Sequence, residues 1–265
     1  MPSIKVNDIE VYCETAGSGP HLTLVMGMGC SARQWQWMTP VFEQSFTVIA
    51  FDNRDAGRTG RQDITYTTEQ FADDIYALLT SLGVSKTHLF GISVGGMIAQ
   101  RFVLKYPGMV DRLVLGCTMP GFFHLPPAPD DLAIMQEAQA APFEEGVDKM
   151  MQLFLTQTFM KEHPEQATRL KEIMMIEKQE QGIEALYRQL GAAMSHDTVS
   201  DVKNITAPTL IITGTADPMA PAANAHFLHG QISGSRLVEI PGGYHAFWVE
   251  HCREACRIIA DFLKN

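Results

Sequence analysis

The chain has 265 residues, a hydrophobic content of 46%, a charged content of 19% and a formal net charge of −10. This length allows a substantial buried core, and the acidic balance disfavours electrostatic binding to nucleic acid or to anionic membranes. Its apolar runs fall short of the about 20 residues that cross a bilayer, so no membrane partner is expected.

Five cysteines are scattered through the chain, and their odd number leaves at least one unpaired. With no signal peptide at the N-terminus, this usage favours a reducing, cytoplasmic setting. Cys252 and Cys256 lie four residues apart beside His251, which suits either half of a metal site or a packed helix face. The packed face is favoured because no second pair of ligands lies nearby, and no metal or organic cofactor is predicted.

Strand-like and helix-like segments alternate along the first part of the chain. Residues 9–15 alternate apolar and polar side chains, which predicts a half-buried strand. Short apolar runs at residues 21–26 and 46–51 are typical of central parallel strands buried on both faces. Helical periodicity then covers residues 69–82, with a capping sequence that starts at Thr67.

A strand at residues 87–90 leads into Gly91-Ile92-Ser93-Val94-Gly95, and a helix from Met97 to Tyr106 follows. The sequence Gly-x-Ser-x-Gly between a strand and a helix is typical of a nucleophile elbow. Such a turn exposes the serine hydroxyl, and the flanking glycines allow the main chain to approach closely. Ser93 is therefore predicted to be a nucleophile.

The remaining elements follow a strand at residues 112–116. Residues 130–195 have a mostly helical pattern, strands return at residues 208–214 and 236–240, and a last amphipathic helix covers residues 248–263. Alternating β and α segments predict an α/β fold with a mostly parallel central sheet and helices on both faces.

Two units are expected within this architecture. Residues 1–118 and 205–265 are predicted to form the core, and residues 119–204 a helical cap inserted after the sixth strand. The cap would lie over the carboxyl edge of the sheet, where sites in such sheets usually occur.

A serine nucleophile needs a base and a group that orients the base. Asp217 and His245 each lie in a loop just after a predicted strand, as Ser93 does, and the order Ser, Asp, His is that of hydrolases with this elbow. Competing histidines are less well placed, since three fall on predicted helices and three in the inserted block; they are His226, His229, His251, His124, His163 and His196. Ser93, Asp217 and His245 therefore form the predicted catalytic triad.

An oxyanion hole needs N–H donors beside the nucleophile. The residue after the nucleophile, Val94, would supply one backbone N–H. Met28, between two glycines in the loop after an early strand, would supply the other.

These motifs resemble those of the α/β-hydrolase superfamily over nearly the whole chain, and most of all its small esterase and lactonase branch. Within that branch the sequence is similar to 3-oxoadipate enol-lactonases and polyketide methylesterases. Residues 51–59 resemble a family loop that is usually structural, but Asp55 stands where glycine is usual and is interpreted as a loop-bracing or surface residue. Met26 stands where the family commonly has a histidine that braces the next loop.

The resemblance and the triad together predict a serine hydrolase that cleaves a carboxylic ester or lactone of a small, largely apolar molecule through an acyl-enzyme. The proposed pocket residues are Phe122, Phe123 and Met219, which lie near the ends of loops. Three alternatives stay open: a hydrolase of C–C bonds, a cofactor-free perhydrolase, and a ligand receptor with slow turnover. The fold by itself does not name the substrate.

Overall fold

Eight strands form one sheet in the computed structural model, which describes residues 3–265. The strands are β1 (Ser3–Val6), β2 (Ile9–Ala16), β3 (His21–Val25), β4 (Thr47–Phe51), β5 (Thr87–Ile92), β6 (Val110–Gly116), β7 (Thr209–Gly214) and β8 (Arg236–Ile240). Their order in the sheet is β1-β2-β4-β3-β5-β6-β7-β8. β1 and β2 pair antiparallel at one edge, and every pairing from β4 to β8 is parallel. The prediction of a mostly parallel sheet is confirmed.

Eleven α-helices accompany the sheet in residues 3–265. They are α1 (Thr39–Phe42), α2 (Thr68–Ser81), α3 (Val94–Lys105), α4 (Pro129–Ala140), α5 (Phe143–Phe154), α6 (Gln157–Glu162), α7 (Pro164–Gln181), α8 (Ile183–Met194), α9 (Ala222–Gln231), α10 (Phe247–Glu250) and α11 (Cys252–Lys264). Helix α2 packs against α3, and α1 against α11, as expected when helices cover the two faces of a sheet. No helix in this range combines the length and the apolar character that a membrane span requires.

The central strands are buried along their whole length. All six residues of β5 are buried, and so are all six of β7. Strands covered on both faces have no polar side to alternate with the apolar one, which explains their nearly continuous apolar sequences.

Two helix boundaries differ from those predicted. Helix α3 begins at Val94 and not at the predicted Met97. Gly95 and Gly96 belong to its first turn, but glycine has a low helix propensity and gave no signal of a helix there. The predicted last helix is two helices, because His251 leaves the helical conformation, with ψ of 30°, between α10 and α11.

Helices α4 to α8, called the inserted helices below, follow β6 and precede β7. Gly121 and Asp197 form an isolated β-bridge where the chain leaves and rejoins the sheet. The carboxyl ends of β5, β6 and β7 lie at one edge of the sheet. The insertion therefore starts and ends at this edge.

Candidate active site

Ser93 lies in a strained turn between β5 and α3. Its φ of 57° and ψ of −124° lie in a region that non-glycine residues rarely adopt. Two hydrogen bonds hold the turn: Ser93 N–H donates to the Gly116 carbonyl at 2.9 Å, and the Thr118 hydroxyl donates to the Ser93 carbonyl at 2.6 Å. Strain that is held by the surrounding structure is common at functional sites.

The glycines of this turn are required by close backbone packing. A Cβ at Gly91 would collide with the Gly95 carbonyl, and a Cβ at Gly95 would collide with the Val25 carbonyl of β3. The turn therefore fits closely against the neighbouring strand, as the Gly-x-Ser-x-Gly sequence predicts.

His245 and Asp217 form a buried hydrogen-bonded pair after β8 and β7. The His245 Nδ1 atom lies 2.8 Å from Asp217 Oδ2 and 3.1 Å from Oδ1, and the side chains are 2% and 0% exposed. Because a carboxylate only accepts, Nδ1 carries the proton and Nε2 is the nitrogen left to act as a base. Asp217 is itself oriented by the N–H groups of Met219 and Ala220, at 2.8 and 2.9 Å.

The charge on this pair decides the protonation of the imidazole. Burial opposes the charged imidazolium, but the Asp217 carboxylate, the nearby Cys117 sulfur and the hydrogen bond to Asp217 together favour it more strongly. As a result the pKa of His245 is raised well above its ordinary value.

The structure brings Asp217 and His245 into direct contact. Ser93 is linked to them through β6, because its N–H donates to the Gly116 carbonyl and the sulfur of the next residue, Cys117, lies within 4.8 Å of a His245 ring nitrogen. In residues 3–265 the ring hydrogen bonds of His245 go to Asp217, and none joins it to the Ser93 hydroxyl. Catalytic hydrogen bonds of this kind often tighten only when substrate binds.

The loop after β3, residues 26–30, lies against Ser93 and is called the glycine loop below. A Cβ placed on Gly27 would be 3.1 Å from the Ser93 Cβ, so this loop and the elbow are in contact. Val94 is the first residue of α3, and the first N–H groups of a helix have no partner within it. The backbone N–H groups of Met28 and Val94 thus belong to two segments that meet at Ser93.

The segment after β4 braces this region. Asp52 is 0% exposed and accepts hydrogen bonds from Ala32 N–H at 2.7 Å and from Arg58 N–H at 2.8 Å. Asp55 is also 0% exposed, with φ of 62°, and accepts two hydrogen bonds from Arg188 of α8 at 2.7 and 3.1 Å. Of the two interpretations of Asp55, bracing fits the structure and a surface position does not.

The predicted pocket residues have different surroundings. Phe122 and Met219 are partly buried against the core, whereas Phe123 is 67% exposed. A cleft of about 420 Å³ opens between the inserted helices and the loops of the His–Asp pair. Pro218 and Tyr244, the neighbours of Asp217 and His245, line this cleft, and the three predicted residues do not.

Cys117, at the end of β6, is a neighbour of the pair that the sequence did not reveal. Its sulfur, a ring nitrogen of His245 and a carboxylate oxygen of Asp217 all lie within 4.8 Å of one another, the one such cluster of potential metal ligands in residues 3–265. Burial raises the pKa of Cys117, which keeps the thiol neutral. Cys252 and Cys256 do not belong to this cluster; their sulfurs lie 3.8 Å from each other, and Cys256 is 0% exposed.

Sequence reasoning also missed side chains that the inserted helices contribute. The ring of Phe154, at the end of α5, lies 5.6 Å from that of His245 and covers one side of the imidazole. Glu177 of α7 and Gln189 of α8 are 1% and 2% exposed. They accept hydrogen bonds from backbone N–H groups in residues 29–31, which follow β3. A polar residue on a helix carries no sequence signal of a partner more than a hundred residues away.

Comparison with known proteins identifies the fold family of the chain. A family model described as alpha/beta hydrolase fold matches residues 20–251. The pimeloyl-acyl-carrier-protein methyl ester esterase of Aeromonas hydrophila is 24% identical over 260 residues, which cover 96% of this chain and 100% of that protein.

Two solved structures extend the comparison to three dimensions. An enol-lactonase from Burkholderia xenovorans gives a TM-score of 0.87 at 21% identity, with 100% of both chains covered. A meta-cleavage product hydrolase from Pseudomonas fluorescens gives 0.85 at 23% identity, with 100% of this chain and 97% of that chain covered. The predicted fold is confirmed.

Proposed function

Because this chain belongs to the alpha/beta hydrolase fold family, we propose that it is a serine hydrolase that cleaves a carboxylic ester or lactone of a small, largely apolar molecule. The observation that carries the proposal is the buried His245–Asp217 pair, at 2.8 Å, beside a serine held in a strained elbow. A structural serine or a lone histidine needs neither feature.

Each residue of the site has a separate role in this reaction. Ser93 attacks the carbonyl carbon, His245 Nε2 takes the hydroxyl proton and then gives it to the leaving alcohol, and Asp217 holds the imidazole in the required tautomer. The N–H groups of Met28 and Val94 stabilise the oxyanion. Water, activated by His245, then hydrolyses the acyl-enzyme.

The protonation of His245 sets the pH range of this reaction. Only the neutral imidazole can accept the serine proton, and the pKa of His245 is raised well above its ordinary value. The rate therefore increases with pH as His245 loses its proton, and the acid limb of the profile lies above the ordinary pKa of histidine.

Three further observations support the substrate class and the setting. The esterase and the enol-lactonase among the similar proteins both carry names for cleavage of a carboxylic C–O bond. Phe154 and Trp248, with ring centres 5.6 and 6.0 Å from that of His245, give the base an apolar surrounding. All five cysteines are free, which supports a reducing, cytoplasmic setting.

We also propose that residues 119–204 act as a cap over a core formed by residues 1–118 and 205–265. The cleft between the inserted helices and the loops of Asp217 and His245 supports this division, because substrate would enter between the two units.

The test is hydrolysis of p-nitrophenyl acetate, butyrate and octanoate by the wild type, by Ser93→Ala and by the control Ser85→Ala. Ser85 is exposed and lies just before β5, at the opposite end of the strand from Ser93. We expect turnover by the wild type and the control, and its loss in Ser93→Ala with the fold retained. Near-native turnover by Ser93→Ala would show that the triad is assigned wrongly.

A further inference from the structure

The inserted helices bind the glycine loop directly. The Gly29 N–H donates to Gln189 Oε1 of α8 at 2.8 Å. Immediately after the loop, the Ser31 N–H and hydroxyl donate to Glu177 Oε1 of α7 at 2.7 and 2.6 Å. The backbone just after Met28 is therefore held from the insertion.

Gln189 uses both ends of its amide group. Its oxygen accepts from Gly29 N–H and from the Gln181 side chain, at 2.8 and 3.0 Å, and its nitrogen donates to the Arg54 carbonyl at 2.6 Å. A 180° rotation of the amide would place its NH₂ group against the Gly29 N–H and its oxygen against the Arg54 carbonyl. Since Gln189 is also 2% exposed, water cannot replace these bonds, and the side chain acts as a fixed link between two loops of the core.

The glycine loop depends on contacts of this kind. It has a glycine on either side of Met28, and Gly29 has φ of 74°, so its own backbone preferences restrict it weakly. On the inner side, the Asn53 side chain donates to the Met26 carbonyl at 2.8 Å. Met28 thus lies between one anchor from the core, at Met26, and one anchor from the insertion, at Gly29.

We propose that Gln189 is a positioning residue for the oxyanion hole, which fixes the direction of the Met28 N–H by holding Gly29. This inference rests on the proposed function. It means that the inserted helices complete the catalytic site in addition to covering it. A displacement of about 1 Å in a catalytic group can cost about 100-fold in rate, so one distant hydrogen bond is enough to matter.

The test compares two buried glutamines of the same hydrogen-bond network. Gln189→Met keeps the length of the side chain and removes the bonds to Gly29 and Arg54. The control, Gln181→Met, removes the bond to Gln189 and leaves both links to the core; Gln181 is likewise buried, at 5% exposure. We expect kcat on a p-nitrophenyl ester to fall about 10- to 100-fold in Gln189→Met, with KM within about threefold, and both constants to stay within about threefold in the control.

A second measurement does not depend on turnover. Hydrogen exchange followed by mass spectrometry should show faster exchange in the peptide that contains residues 26–31 for Gln189→Met and not for Gln181→Met. If Gln189→Met does not fold, Gln189→Ala replaces it, because the space it opens can admit a water molecule to the Gly29 N–H.

Equal losses of kcat in the two variants, or faster loop exchange with unchanged kcat, would overturn the proposal. An inactive wild type would instead contradict the proposed function, and unchanged loop exchange in Gln189→Met would then still refute the link through Gly29. The expected pattern is a loss of kcat and of loop protection that occurs together and only at Gln189.

Discussion

Replacing Glu177 with glutamine should make the protein more stable at alkaline pH. The Glu177 carboxylate is 1% exposed and accepts hydrogen bonds from the Ser31 N–H and hydroxyl and from the Gln34 amide. A glutamine can accept the same two bonds from Ser31. The NH₂ group of the new glutamine would face the Gln34 side chain. The Gln34 side-chain oxygen has no hydrogen-bond partner in residues 3–265, and after a rotation of the Gln34 amide it can accept from this NH₂ group.

The size of the effect follows from the pKa of this carboxyl. Burial raises the pKa of Glu177 from 4.5 to about 7, against the opposing effect of its hydrogen bonds, and the nearby Asp52 carboxylate adds to the rise. Because the folded-state pKa is above the unfolded one, the stabilising contribution is fully present below pH 4.5 and is lost as pH rises towards and through about 7. The full change corresponds to about 3 kcal/mol of unfolding free energy.

Urea unfolding of the wild type and Glu177→Gln at pH 5, 6, 7 and 8 measures this directly. The difference in unfolding free energy should be small at pH 5 and should favour the variant by up to about 3 kcal/mol at pH 8. Burial also raises the pKa of the neighbouring Cys30 well above its ordinary value, so that thiol stays neutral over this range.

The matched control is Glu180→Gln, one turn further along α7. Glu180 forms an ion pair with Arg33 at 2.7 Å, and the two side chains are 33% and 25% exposed. Its loss should cost under about 1 kcal/mol, with little dependence on pH. A Glu177→Gln variant that is less stable than the wild type at pH 8, or a difference that does not change with pH, would refute this reasoning.

Three other substitutions test the site and its supports. Asp217→Asn should lower kcat by about 10³- to 10⁴-fold with KM nearly unchanged in steady-state kinetics, and an effect on KM alone would make Asp217 a binding residue. Gly95→Ala should unfold the protein or destabilise it by more than about 2 kcal/mol in thermal unfolding, because the new Cβ would collide with a backbone oxygen of β3. Gly108→Ala is the control, since a Cβ added at Gly108 would have no atom within 4 Å. Asp55→Asn keeps the side-chain shape and tolerates the φ of 62°, but loses the ion pair with Arg188, and should cost about 1–3 kcal/mol in urea unfolding; unchanged stability would contradict that role.

Much of the fold could be predicted from local patterns. The central strands are continuous apolar runs because both of their faces are buried, and the elbow is visible because its glycines are required by backbone contacts. Asp217 and His245 could be singled out because each follows a parallel strand, and such strands end at one edge of the sheet. Their catalytic roles, and those of Ser93, Met28 and Val94, stay predictions for the kinetic experiments.

The sequence by itself determined seven of the eight strands, β2 to β8, the elbow and the loops that carry the candidate triad, because these depend on hydrophobic periodicity and on glycine at crowded turns. Only the tertiary structure decided which buried polar groups meet. Gln189 and Gly29 are 160 residues apart, and Glu177 and Ser31 are 146 apart. A buried hydrogen bond of this kind forms only where two distant segments pack together. The sequence around one partner therefore does not predict the other.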